Sequence, residues 1–291
     1  MSHRIALITD STCDLPDALL QRYDIRMVPL YIHWGDEVLR DRVDIDAPTF
    51  FRRLREEAEV PKTSQPTPRD FLAAFEAARA EGAEEAVVIT ISTAMSGTYQ
   101  SARQAASMMK DFPVHVVDAR FNSFGLGWQV LAAARAREAG GDAQAMIAAA
   151  DAIRERTVLL VLLDTLDYLR RGGRIGAAKH FIGTMLKLKP LIAVVPETGA
   201  VTGVAQIRTR KRARETLYQT FVEQIKGIGE GKLHITVLHT GLPEVAEALA
   251  QRIQAELKPV ELVIAWASMV LGVHTGPQAL EICGYVEPSS A

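Results

Sequence analysis

Residues 69–139 alternate between two kinds of segment so regularly that few folds can hold them. A helical pattern over 69–81 gives way to an apolar run at 86–91. A helix at 97–110, a strand at 114–118 and a helix at 124–139 follow. Runs such as Val87-Val88-Ile89 are apolar on both faces, which suits a strand covered by helices on both sides of its sheet. Strand–helix repeats of this kind imply a parallel sheet, and such sheets bind ligands at the C-terminal ends of their strands. The N-terminal segment joins the pattern. An apolar run at 4–9 ends in Asp10-Ser11-Thr12-Cys13-Asp14, polar capping residues at a strand-to-helix turn, and 16–23 reads as a short helix. A strand over 27–34, a helix over 48–59 and a proline-stiffened loop over 61–68 complete this part.

The rhythm changes after an alanine-rich helix at 143–156. Expected next are a strand at 157–164, a short helix at 166–171 broken by Gly172-Gly173, and a helix at 175–187. Strands near 191–196 and 201–208 precede a long helix over 210–227. A strand at 233–239, a helix at 243–256 and a strand at 262–267 lead to the C-terminal loop. The expectation is an α/β protein of two domains. Residues 1–156 form an N-terminal parallel-sheet domain with a small inserted segment at about 28–63. Residues 157–291 form a C-terminal α/β domain with a mixed or antiparallel sheet. With no low-complexity linker between them, the two should pack closely around a ligand crevice.

Composition removes several classes of function. A net charge of −2 over 291 residues gives no reason to expect nucleic acid as a partner. No apolar run approaches the roughly 20 residues that span a bilayer, and Met1-Ser2-His3-Arg4 shows no signal-peptide pattern. The two cysteines, Cys13 and Cys283, lack metal-ligand spacing and suit a reduced, cytoplasmic setting. Gly125-Leu126-Gly127 has no third glycine at the dinucleotide spacing, and no Walker A or kinase glycine loop occurs. No cofactor, metal or catalytic residue is therefore expected.

Two polar loops at strand ends stand out. Gly272-Val273-His274-Thr275-Gly276-Pro277 sets an imidazole and a hydroxyl between glycines, where they could meet an anionic ligand. Ser96-Gly97, after the apolar 86–91 run, offers a hydroxyl and free backbone N–H groups at a helix start, or else a plain helix cap. The residues two positions from Ser96 are Ala94 and Thr98, so it lacks the Gly-x-Ser-x-Gly of a hydrolase nucleophile elbow. Thr63 and Ser64 on the proline-rich loop read either as ligand contacts or as a surface turn. Asp10-Ser11-Thr12 either caps a helix or lines the same crevice. Arg170-Arg171-Gly172-Gly173-Arg174 and the basic 208–214 run are either a solvated face or a docking face for an acidic partner.

Taken together these segments resemble the DegV family of bacterial fatty-acid-binding proteins. The matching pieces are Ile8-Thr9-Asp10-Ser11-Thr12, Lys62-Thr63-Ser64-Gln65-Pro66 and Ser96-Gly97-Thr98-Tyr99-Gln100-Ser101-Ala102, with Arg170 to Arg174 and His274-Thr275-Gly276-Pro277 in the second half. The resemblance implies a long-chain fatty acid between two α/β domains. Its carboxylate would meet Thr63 or Ser64, Ser96 with Gly97, and His274 with Thr275. It also implies a separate ATP-dependent fatty acid kinase, to which the carrier presents the carboxylate for acyl-phosphate formation, with Arg170 and Arg174 facing that partner. A storage or transport module without a kinase, or a Ser96/His274 acyl hydrolase, are the alternatives. Gln278 stands where the family often has glycine, and Ala119 where it often has serine.

Overall fold

The structure is a computed structural model and describes residues 4–181 and 188–287. The first half runs through β1 (Ile5–Asp10), α1 (Asp17–Arg22), β2 (Ile25–Val28), β3 (Tyr31–Trp34) and β4 (Glu37–Arg40). It continues with α2 (Ala47–Glu56), β5 (Lys62–Ser64), α3 (Pro68–Ala80), β6 (Glu85–Thr90) and α4 (Thr98–Met108). Strand β7 (Val114–Asp118) and helices α5 (Ser123–Glu138) and α6 (Ala143–Arg154) close it. The second half holds β8 (Thr157–Leu162), α7 (Asp167–Arg171), a 3-10 turn at Gly176–Phe181, β9 (Lys189–Val195) and β10 (Ala200–Ile207). Then come α8 (Arg210–Ile228), β11 (Leu233–His239), α9 (Pro243–Leu257), β12 (Glu261–Trp266), α10 (Met269–Thr275) and β13 (Leu280–Val286).

The expected α/β class is present, with its parallel N-terminal sheet and mixed C-terminal sheet. Strands β2-β1-β6-β7 form a wholly parallel four-stranded sheet. Six strands in the order β10-β9-β8-β13-β11-β12 form the second sheet, antiparallel except between β11 and β12. A small antiparallel sheet, β4-β3-β5, is inserted after β2 and carries Thr63 and Ser64. The strand expected over 27–34 is thus two strands in two sheets, and Lys62–Ser64 pairs with β3 rather than forming a free loop. The helix expected over 175–187 begins as a 3-10 turn, and its part beyond Phe181 lies outside the described residues.

The halves share a core. One apolar cluster joins Leu7 and Ile89 of the parallel sheet and Phe124, Trp128 and Leu131 of α5 to Val161, Ile192, Leu238 and Tyr285 of the second sheet. Trp128 packs against Tyr285 with ring centroids 5.4 Å apart. Over Ser123–Ala134 helix α5 is buried on nearly all sides, as the seam requires, and only its last turn carries charged residues, Arg135, Arg137 and Glu138.

Candidate functional site

A partly open, mainly aliphatic cavity of about 310 Å³ lies between the C-terminal ends of the parallel strands and the face of the second sheet. That is the size of a small-ligand pocket. Its floor comes from alternate residues of the second sheet, among them Val161, Ile192, Val201 and Leu238. Leu30, Ile91 and Met95 close it from the first half, and Leu169, Val270 and Leu271 from two short helices.

At one end the polar residues gather. Thr63, Ser64, Ser96, Arg174, His274 and Thr275 all line the cavity. Thr63 Oγ1 lies 2.8 Å from His274 Nε2, joining the inserted sheet to α10 across 211 positions of sequence. Arg174 Nε donates to the Met95 carbonyl at 3.1 Å, next to Ser96, and its Nη1 to the Gly172 carbonyl at 2.7 Å. Gly97 does not line the cavity, but its lack of a side chain admits Gln65: a Cβ there would lie 2.2 Å from Gln65 Oε1. Ser64 Oγ pairs with His33 Nε2 at 2.8 Å on the exposed side. Thr275 donates back to the Leu271 carbonyl within α10. Arg170 stays apart from the cavity, exposed and paired with Asp167 at 3.2 Å.

His274 is not on a loop between glycines, as the sequence suggests. It is in the last turn of α10, whose start is fixed by acids distant in sequence. Asp41 Oδ1 accepts the Met269 and Val270 N–H groups at 3.0 and 3.4 Å, and Asp14 Oδ1 accepts that of Ser268 at 2.9 Å. Carboxylates there satisfy orphan donors and complement the helix dipole. Burial, and then the charge of Arg174, push the His274 pKa down to about 4, so the ring is neutral near pH 7. Its buried Nδ1 has no hydrogen-bond partner among the described residues.

The Asp10-Ser11-Thr12 segment is structural. Asp10 caps the turn through Thr12 and accepts the Ile91 N–H at 2.7 Å, tying the ends of β1 and β6 together. Ser11 donates to Asp41 at 2.7 Å and accepts from the Leu30 N–H at 3.1 Å. Ser96 does serve as a local cap, accepting the Thr98 N–H at 3.3 Å, and it lines the cavity as well. Beside the polar end lies a recess of about 370 Å³ where Lys62, Arg171 and Arg174 meet His274. None of these three cations has an ion pair among the described residues.

A family model described as an uncharacterised protein of the DegV family matches residues 4–287. The chain belongs to the DegV family. A DegV domain-containing protein of Clostridium acetobutylicum is 34% identical over 287 residues, covering 97% of this chain and 98% of that one. A structure described as fatty acid binding of a DegV family protein from Thermus thermophilus is 35% identical, with a TM-score of 0.90 over 97% of this chain and 99% of that one. A protein of Eubacterium ventriosum described as binding stearic acid is 25% identical, with a TM-score of 0.89 and 98% of each chain covered.

Within this DegV fold the cavity also holds residues that the sequence did not single out: Gln65, Asn122, His239, Thr240 and Glu281. His239 is buried edge-on against Trp266, and burial lowers its pKa to about 4. Its Nδ1 accepts the Gly241 and Leu242 N–H groups, which places the proton of the neutral ring on Nε2. Read singly, a histidine on an apolar strand has no signal for this. Strand alternation does not point to it either, since Leu238 lines the cavity and its neighbour His239, the last residue of β11, would be expected on the opposite face.

Proposed function

We propose that the chain binds a long-chain fatty acid in this cavity, head at the Thr63–His274 end, and presents the carboxylate to a separate ATP-dependent kinase that forms an acyl phosphate. The observation that carries the reading is a mainly aliphatic cavity with hydroxyls and an imidazole converging at one end. Relatives described as fatty acid binding support the ligand class. Each buried CH₂ contributes about 0.8 kcal/mol, so a long tail supplies on the order of 10 kcal/mol before ordering costs.

The head-group chemistry follows from the neutral histidine. If the proton of the neutral ring is on Nε2, His274 donates to Thr63 Oγ1 and the Thr63 hydroxyl is left free to donate to a carboxylate. His274 is then a positioning residue as much as a contact. If Thr98 donates its hydroxyl to Ser96, the Ser96 proton is likewise free for the ligand. Thr63, Ser64, Ser96, His274 and Thr275 make up the proposed head-group site, with Gly97 beside Ser96 giving room for Gln65. Lys62, Arg171 and Arg174 leave a cationic recess beside it where phosphate charge could be met. Arg174, and Arg170 further out, form the proposed partner face. A Ser96–His274 hydrolase has little support: Nε2 is engaged by Thr63 rather than Ser96, and no acid orients Nδ1.

The test combines binding and turnover. Delipidated protein should bind one C14–C18 acid per chain. Ser96→Ala should weaken that binding roughly tenfold to a hundredfold, the cost of losing a hydrogen bond to a charged group. Arg174→Ala should leave affinity nearly unchanged while lowering acyl-phosphate yield, trapped as the hydroxamate, in the presence of ATP and a fatty acid kinase subunit. Saturable binding with no acyl phosphate under any condition would leave a storage module. No binding of such acids at all would sink the reading.

A further inference from the structure

The floor of the cavity contains a carboxyl group that an alkyl tail does not need. Strand β13 turns Ala279, Glu281, Cys283 and Tyr285 toward the first half, while Leu280, Ile282 and Val286 face the core under α8 and α9. Glu281 therefore occupies a position whose neighbours across the sheet, Val161 and Leu238, are apolar cavity-lining residues. It is only 7% exposed.

Its surroundings are specific. Ser123 Oγ lies 2.6 Å from Glu281 Oε1 and 2.9 Å from Asp14 Oδ2. Ser123 adopts a positive φ of 50° to hold its hydroxyl there. One hydroxyl proton cannot serve two carboxylates, so the trio holds an extra proton. Asp14 already accepts the Ser268 N–H and has Arg42 nearby, both of which favour its charge. Glu281 has no cation and no other side-chain hydrogen bond among the described residues. The extra proton belongs on Glu281, which donates from Oε1 to Ser123, and Ser123 donates to Asp14. That leaves Glu281 Oε2 as a carbonyl acceptor with no hydrogen-bond partner among the described residues. Asn122, the residue before Ser123, also lines the cavity, and its buried Oδ1 is a second acceptor with no partner among the described residues.

An unsubstituted tail leaves both acceptors dry, and an unmet buried acceptor is what lets a site discriminate for a ligand that supplies the donor. We propose that the cavity is built for an acyl chain carrying a hydroxyl group along its length, with Glu281 as the acceptor that reads it. This rests on the fatty-acid reading of the cavity and narrows its ligand class.

A hydroxyl walk tests it. Delipidated full-length protein is titrated with octadecanoic acid and with its monohydroxylated positional isomers. In the wild type, one position or a narrow band of positions should bind about tenfold tighter than the unsubstituted acid, the size of one buried hydrogen bond met or unmet. Glu281→Leu should erase that preference, and Glu281→Gln, which keeps a carbonyl, should retain part of it. Parity between the unsubstituted acid and every isomer in the wild type overturns the proposal without need of any variant, as does a preference that survives Glu281→Leu. Failure of all the acids to bind overturns the fatty-acid reading along with it, and is readily told apart from parity.

Discussion

Gln278 holds a backbone conformation that its side chain opposes. Its φ is +71°, in the left-handed region, where a non-glycine residue costs about 1–2 kcal/mol and glycine does not. The sequence marks this position only as a departure from the family's usual glycine; the structure supplies the cost. Gln278→Gly should therefore stabilise the protein by up to about 1 kcal/mol once the greater freedom of glycine in the unfolded chain is deducted. A higher urea midpoint with an unchanged m-value is the expected result, and a lower midpoint would show that Gln278 makes compensating contacts. Other residue-level features were legible. Ser96 and His274 stand out in the sequence as polar residues on loops after apolar strands and Thr63 as a hydroxyl on the proline-rich loop, and all three line one cavity. Glu281 was hidden, because an acid in a strand reads as solvent-facing until the layer that buries it is known.

Short elements define the site, and they were the least legible. Helix α10 carries His274, yet Gly272 and Gly276 make its sequence look like a loop. Its N-terminus is satisfied by Asp41 from 228 positions away, a cap that no local pattern can reveal. Strand β13 was not anticipated, since Glu281 and Gly284 interrupt its apolar run. The long alternating elements of the first half, in contrast, fall within a few residues of expectation because their own periodicity sets them. Where α7 ends, Gly172 faces α10 so closely that a Cβ would sit 2.1 Å from His274 Nδ1. Gly172→Ala should displace the imidazole and break its contact with Thr63. Fatty acid affinity should drop at least tenfold while circular dichroism and cooperative melting persist. Unchanged affinity would mean that α7 yields instead of His274.

Across the whole molecule, buried ionisable groups set a pH dependence. Burial raises Asp41 to about 6, Asp14 to about 7 and Glu281 to about 8, and lowers His239 and His274 to about 4. Between pH 4 and 6.5 the folded histidines hold fewer protons than the unfolded ones, so their contribution to stability grows with pH, opposite to that of the acids. From pH 6.5 to 8 the folded histidines are neutral, and the unfolded ones, half protonated at pH 6.5, lose their remaining protons by about pH 7.5, a gain smaller than the loss from the acids. Folded Glu281 keeps a proton that its unfolded counterpart has lost, and Asp14 adds to the effect only below about pH 7, so stability falls as pH rises. The loss expected from Glu281 is on the order of 1–2 kcal/mol over that range. Urea midpoints at pH 6.5 and 8.5 should show the decline, and Glu281→Gln should flatten it; a midpoint that rises with pH would contradict the protonation assigned to this acid. The anchoring of α10 bears on kinetics too. The helix follows a strand of the second half, but Asp14 and Asp41 of the first half hold its start through buried hydrogen bonds. Swinging the halves apart like a clamshell would strip two carboxylates of the amides they serve. Opening of that kind is therefore costly, and under the function proposed above ligand exchange should proceed by small local movements at the polar end, with long residence times as the expected outcome.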